Sequence, residues 1–295
     1  MARLHPSMVA MCIAGVVLGS LSFLQCSAQP VAFDQNYLVT GGTDNNVKKL
    51  DGGKTVQLVL NQDSASGFAS KSKYLFGHIS MSIKLVPDDS AGTVTAFYMS
   101  SESPNHDELD FEFLGNSSGE PYILQTNVFA SGIGNREQRI YLWFDPTADF
   151  HSYSVIWNPQ QIIFKVDDVP IRVFKNNQAS GLPYPSTQPM RIFSSLWNGD
   201  SWATRGGLQK LNWTHAPFIA TYQGFSVDAC QWSDSGSLES CATSNSGWWN
   251  NAAFQTLDSD SQSKLKWVQQ NYMIYDYCTD TKRFTTTPTD CTLRS

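Results

Sequence analysis

Between residues 54 and 197 the chain repeats one device nine times: a short run of β-branched, aromatic or alternating residues, closed off by a turn cluster. The runs are "KTVQLVL", "HISMSIKLV", "TVTAFYMS", "ELDFEFLG", "YILQTNVFA", "QRIYLWF", "HSYSVIWN", "QIIFKVDD" and "PMRIFSSLW". Clusters such as "PDDSAG", "NSSGEP", "DPTADF" and "NPQQ" separate them, and Gly, Pro, Asn, Asp and Ser are the residues that turn a chain sharply. Many short strands with no helical periods between them predict an all-β antiparallel sandwich, because a parallel sheet needs helices to cross over. One helix is expected late, from about Ser261 to Asn271: Leu265, Val268 and Tyr272 fall on one face, and Asp260 is the expected cap. The "YMIYDYC" behind it returns to strand character. Residues 29–217 are read as the main sandwich and 218–295 as a cysteine-stapled extension packed against it.

Composition narrows the choice of partner. With 295 residues the chain is long enough for one large β domain and a sizeable core. Charged residues make up 16% and aromatics 13%, so the surface offers rings more than charge. A net charge of −6 and the lack of any Lys/Arg run exclude the clustered cations that nucleic acid needs. Residues 1–28 have the layout of an export signal: Arg3, the apolar "MVAMCIAGVVLGSLSFL", then small residues at Cys26 and Ala28, after which cleavage is expected. A signal anchor is the competing reading of that run. No later segment is apolar enough to span a bilayer, so a mature form outside the cell and free of the membrane is expected.

Export changes the meaning of the cysteines. Cys12 and Cys26 lie in the leader, while Cys230, Cys241, Cys278 and Cys291 remain. Four thiols in an oxidising compartment predict two disulfides, for which the sequence leaves three connectivities open. Structural zinc is the alternative, opposed by the lack of a C-x-x-C and of a nearby His pair. No dinucleotide loop, G-x-S-x-G or H-E-x-x-H occurs, so no cofactor and no metal are expected. Asn116-Ser-Ser and Asn212-Trp-Thr are candidate glycosylation sites.

The stretch "NHDELDFEFLGN" from Asn105 to Asn116 is where chemistry concentrates. Period-two alternation puts Glu108, Asp110 and Glu112 on one strand face and Leu109, Phe111 and Phe113 on the other, the core face. A solvated edge is the bland reading of the acidic face, but like charges side by side repel, so a face with no use for them has no reason to be purely anionic. Calcium, with His106 and Asp107 as further ligands, is a second reading, opposed because such sites draw on loop carbonyls. Glycoside chemistry is the third. At about 3.3 Å per residue the Cα atoms of Glu108 and Glu112 lie about 13 Å apart. Two glutamates leaning inward close that gap to roughly the 5–5.5 Å a retaining glycosidase needs, with the shorter Asp110 between them. Crowding then divides the roles. Glu112 is read as a protonated acid, Glu108 as an ionised nucleophile, and Asp110 as the group that orients Glu108 and moderates its charge.

Together with "QTNVF", "GNREQRIYLWFDP", "SSLWNGDSWATRGG" and "YDYCTDTKRF", the acidic stretch resembles the plant xyloglucan endotransglucosylase/hydrolases of glycoside hydrolase family 16, from about Asp34 to Cys291. That resemblance implies a β-jelly-roll sandwich of the concanavalin A-like type with an open cleft on its concave sheet. It also implies a short C-terminal extension held by the disulfides Cys230–Cys241 and Cys278–Cys291. In the family's mechanism the residue matching Glu108 attacks the anomeric carbon, the match to Glu112 donates and then accepts the proton, and the match to Asp110 assists. Glucan-binding positions carried over by the resemblance are Gln125, Asn127, Asn135, Arg136, Glu137, Trp197, Trp202, Gly206 and Arg283. Ser201 stands where members often carry a second Asp, Leu109 replaces the commoner Ile, and Asn116 matches the usual glycan site. Apart from any resemblance, Trp197 and Trp202 among Asn198, Asp200 and Arg205 suit sugar binding, since an indole offers a flat apolar face; burial in the core is the alternative.

The activity implied by the resemblance is cleavage and religation of the β-1,4-glucan backbone of xyloglucan by retaining double displacement, remodelling plant cell walls, with transfer favoured over hydrolysis. A mainly hydrolytic xyloglucanase and a non-catalytic wall-polysaccharide-binding lectin are the alternatives. The implied partners are a xyloglucan donor and a xyloglucan or oligosaccharide acceptor. The expected setting is a monomer secreted to the cell wall and apoplast.

Overall fold

A computed structural model describes residues 30–43, 45–233, 235–243 and 246–293, and the export signal expected over residues 1–28 lies outside them. The strands, in chain order, are β1 (Tyr37–Gly41), β2 (Val47–Leu50), β3 (Thr55–Leu60), β4 (Ser66–Ser70), β5 (Tyr74–Lys84), β6 (Thr93–Ser100), β7 (Glu108–Leu114) and β8 (Ile123–Phe129). They continue with β9 (Gln138–Tyr141), β10 (His151–Trp157), β11 (Gln161–Val166), β12 (Val169–Lys175), β13 (Arg191–Asn198), β14 (Phe218–Gln223), β15 (Asp228–Gln231) and β16 (Met273–Asp276). Two sheets of eight strands stack as an antiparallel sandwich. The first runs β1-β4-β13-β6-β7-β8-β9-β16; the second runs β12-β11-β10-β5-β14-β3-β2, with β15 also paired to β5. This is the all-β antiparallel sandwich that the short-strand pattern predicts, of the jelly-roll class that the resemblance implies.

Alternation explains why the sheets stack. Leu109, Phe111 and Phe113 of β7 are fully buried. The Phe111 ring meets Phe164 of β11 at 5.2 Å and the Phe113 ring meets Tyr153 of β10 at 4.5 Å, both edge-on. Each such side chain, moved from water into the core, contributes about 1.5–3 kcal/mol. The same alternation turns the neighbouring residues of β7 outward, and that outer face carries the candidate site.

Two expectations change at the C-terminal end. The division after residue 217 falls just ahead of β14, which runs between β3 and β5 inside the second sheet. Phe218, Ala220 and Tyr222 of that strand are buried in the shared core, so the sandwich continues past the expected boundary. The late helix spans Ser259–Asn271 and its cap is Asp258, whose carboxylate accepts from the Ser261 N–H at 2.7 Å. Asp260 instead sits in the first turn and pairs with Lys264 at 2.7 Å. A cap side chain accepts from the amide two or three residues on, and Asp258 does so with Ser261. Val268 is buried on the expected face, and β16 follows as the sequence predicts, beside β9. Cys230–Cys241 and Cys278–Cys291 are the pairs formed, each with Cα atoms 5.6 Å apart. Among the described residues no helix is long and apolar enough to cross a membrane.

Candidate active site

The register of the first sheet assembles the site row by row. Ala96, Glu112 and Gln125 lie side by side across β6, β7 and β8; Tyr98, Asp110 and Asn127 form the next row, and Ser100, Glu108 and Phe129 the third. Paired residues in a sheet share a face. Ser195 of β13 joins the first row opposite Ala96, and Arg139 of β9 joins it opposite Gln125. Trp197, two residues beyond Ser195, stands opposite Val94 with Trp202 packed beside it. Apart from Val94, Ser100 and Arg139, these residues, joined by Glu137, line a cleft of about 460 Å³ on the outer face. Beneath the indoles Val94, Leu114 and Ala203 form a small apolar cluster of their own, so Trp197 and Trp202 rest on a floor outside the main core.

Burial and crowding set the charges. Asp110 is 6% exposed and hydrogen-bonded to Glu108. Desolvation first, then the Glu108 and Glu112 carboxylates and that hydrogen bond, hold its pKa well above the ordinary aspartate range against an opposing pull from Arg172. Burial also raises Glu112, reinforced by Glu108 and Glu137 and opposed by a hydrogen bond from Gln125 and the charge of Arg139. The Tyr98 phenol is pushed up to about 12, by burial first and then by Glu108, Asp110 and Glu102. Glu108 keeps a side-chain exposure of 22% and has His106 Nε2 at 3.8 Å. The site therefore holds two carboxyls biased toward protonation, Asp110 and Glu112, in line with an accessible third, Glu108.

The rim of the cleft is tied to the C-terminal extension. Arg283 donates to both Glu137 oxygens, at 2.7 and 3.2 Å, and to Asn135 Oδ1 at 2.6 Å. Asn127 Oδ1 accepts from the backbone N–H groups of Val128 and Arg136, at 2.9 and 3.0 Å. Arg136 itself does not reach the cleft. Its side chain is buried, donates to the Val128 and Ile133 carbonyls, and pairs with Asp290 at 2.9 Å. On the other side, Ser201 and Gly206 are exposed on the loop after β13, with Gly206 in a left-handed turn at φ +67°. Thr204 anchors that loop by accepting from the Gly92 N–H and donating to the Gly115 carbonyl, at 2.8 and 2.7 Å.

Of the residues expected at the site, Glu108, Asp110, Glu112, Gln125, Asn127, Glu137, Trp197 and Trp202 converge on the cleft. Asn135 and Arg283 stand at its rim, bonded to each other. Ala96, Tyr98, Phe129 and Ser195 are additions to the lining, and Arg139 joins the site through its bond to Gln125. Alternation alone offers Ala96 and Tyr98 as the face opposite Phe97 and Met99, but which strands lie beside β7 is not written in either run. Asn116, just after β7, is half-buried, and its amide donates to the Pro121 carbonyl at 3.0 Å. Asn212 is exposed and accepts from the Thr214 hydroxyl at 2.8 Å. Asp107, a ligand in the calcium reading, is buried and caps the Ser131 N–H at 2.8 Å.

Residues 33–215 match the model of glycosyl hydrolases family 16, and residues 243–291 match that of the xyloglucan endo-transglycosylase C-terminus. A probable xyloglucan endotransglucosylase/hydrolase protein 5 of Arabidopsis thaliana is 54% identical over 283 residues, which cover 95% of this chain and 96% of that protein. Xyloglucan endotransglucosylase protein 34 of Populus tremula x Populus tremuloides is 53% identical over 291 residues, covering 99% and 98%. Among solved structures, a Bacillus licheniformis β-glucanase superposes with a TM-score of 0.52 at 24% identity, over 64% of this chain and 89% of that one; this is a likeness of fold. This chain belongs to glycosyl hydrolase family 16, among the xyloglucan endotransglucosylase/hydrolases.

Proposed function

We propose that this chain cuts the β-1,4-glucan backbone of xyloglucan with retention of configuration and joins the new end to a second glucan chain. The observation that carries this is the row Glu108, Asp110, Glu112 along β7, in a cleft edged by two indoles on a family 16 sandwich. Glu108 attacks the anomeric carbon, the glycosidic C–O bond breaks, and Glu112 passes its proton to the departing oxygen. In the second half Glu112, now a carboxylate, takes the proton of an acceptor hydroxyl as that oxygen expels Glu108 from the anomeric carbon. Asp110, its pKa raised by burial and by its carboxylate neighbours, shares a hydrogen bond with Glu108 and steadies its charge between turnovers.

Trp197 and Trp202 stack on the apolar faces of sugar rings, with Gln125, Asn127 and Glu137 hydrogen-bonding ring hydroxyls. Asn135 and Arg283 extend this binding along one rim, Ser201 and Gly206 along the other; Arg136 supports the first rim from beneath. Transfer and hydrolysis share the glycosyl-enzyme, so the outcome depends on whether an acceptor sugar or water reaches it first. Two disulfides suit an oxidising compartment, which supports action in the plant cell wall. We also take the exposed Asn212 and the half-buried Asn116 as glycan carriers.

Incubation with xyloglucan and a labelled xyloglucan oligosaccharide tests the reading. Label incorporated into polymer in excess of new reducing ends is expected. Reducing ends in excess of label would make the protein chiefly a hydrolase, and binding with neither would make it a lectin.

A further inference from the structure

The geometry points to Arg139 as a positioning residue for the acid/base, acting through Gln125, so that Glu112 carries its proton on one defined oxygen. This rests on the reading of Glu112 as the acid. Arg139 Nε donates to Gln125 Oε1 at 2.6 Å, and Gln125 Nε2 donates to Glu112 Oε2 at 2.6 Å. A guanidinium has donors only, so the Gln125 amide must turn its oxygen toward Arg139. Its NH2 then has to face Glu112. Turned over, the amide would set donor against donor on one side and lose its bond to the carboxylate on the other. Glu112 Oε2 is therefore held as an acceptor, and the proton that moves in the reaction sits on Oε1.

Arg139 is itself held in place from the extension. The Tyr275 ring of β16 lies 5.4 Å from the guanidinium, close enough for a cation–π contact. The Tyr275 hydroxyl donates to Asp280 at 2.9 Å and accepts from Arg283 at 3.4 Å. An unbroken chain of contacts thus runs from the extension to the acid/base. The charged and titratable groups that face Glu112 are Glu108 and Asp110 on its own strand, Glu137 ahead of β9, and Arg139 on β9. Arg139 is the cation among these four. Its charge and the amide it orients both favour the ionised form of Glu112, opposing burial and the neighbouring carboxylates. Without it Glu112 would give up its proton less readily and from either oxygen.

The test compares wild type with Arg139→Met, Gln125→Met, the double variant and Arg139→Lys, on whichever β-glucan the wild type turns over, with thermal unfolding as the check on folding. In Arg139→Met the alkaline limb of kcat/KM, which reports loss of the acid's proton, moves to higher pH, because a stabiliser of the carboxylate is gone. At the optimum, kcat/KM on polysaccharide falls roughly tenfold. The loss is much smaller on an activated aryl glycoside, whose leaving group needs no proton. Gln125→Met shifts the limb the same way, the double variant loses clearly less than the sum of the two single losses because only the charge of Arg139 acts without Gln125, and Arg139→Lys recovers part of the loss. An unmoved limb, an equal loss on both donors, or additive losses in the double variant would overturn the relay. Wild-type turnover of some β-glucan other than xyloglucan would instead overturn the substrate assignment and leave the relay to be measured on that glucan.

Discussion

Asp110 is an aspartate almost wholly buried at the floor of the cleft, with a glutamate on either side of it. Its pKa is raised in the fold, so the stability it contributes is fully present below its unfolded value and is lost as pH rises through the folded value. Asp110→Asn keeps the shape and the neutral form, so its melting temperature at neutral pH should exceed that of the wild type by a few degrees, with a flatter dependence on pH above 4. That gain should come with a loss of turnover, as is common where strained charges serve function. Glu112→Gln removes the acid itself. It should lower kcat/KM on polysaccharide by about 10²–10⁴-fold and abolish the alkaline limb, measured on the same pH series. The carboxylate row could be read from sequence because period-two alternation is a property of one strand. Arg139 could not, because its role exists only through the register of β9 on β8. In "NREQR" the two arginines look alike, yet Arg136 goes to Asp290 and Arg139 to Gln125.

At the scale of elements, each of the nine runs picked out by alternation falls on a strand. Those that escaped notice are β1, β2, β4, β12, β14 and β15, and the reasons are local. "SGFAS" of β4 has a single large apolar residue, "VKKL" of β2 is mostly exposed, and "VPIRVFK" of β12 contains Pro170 beside a bulge in the β11 pairing. The helix boundary likewise depends on capping, and Asp258→Ala should lower the melting temperature more than Asp260→Ala, whose partner is an exposed Lys264. The Arg136–Asp290 pair joins the loop ahead of β9 to the last short helix, Thr289–Thr292, with side chains 7% and 11% exposed. Removing one partner leaves a buried charge alone. Asp290→Ala should therefore cost about 3 kcal/mol in chemical unfolding, and the cost should shrink when Arg136 is replaced as well.

Over the whole molecule, the extension is less an appendage than a part of the sandwich. It supplies β14 to the middle of one sheet and β16 to the edge of the other. A chain ending at residue 217 should show no cooperative unfolding transition by calorimetry, since it lacks the strand between β3 and β5. Sequence places the cysteines, the helix and β16 in this region but not their attachment, because "FIATYQ" reads as strand only once its neighbours are known. Retention by double displacement requires that Glu108 form a covalent bond to the cut glucan. Mass spectrometry of the protein after reaction with an activated 2-deoxy-2-fluoro glucan oligosaccharide measures that bond directly. One added 2-deoxy-2-fluoro-oligosaccharyl group mapped to Glu108, with the activating group released, and no adduct on Glu108→Gln, is the predicted result. An adduct on another residue, or undiminished xyloglucan turnover by Glu108→Gln, would contradict it.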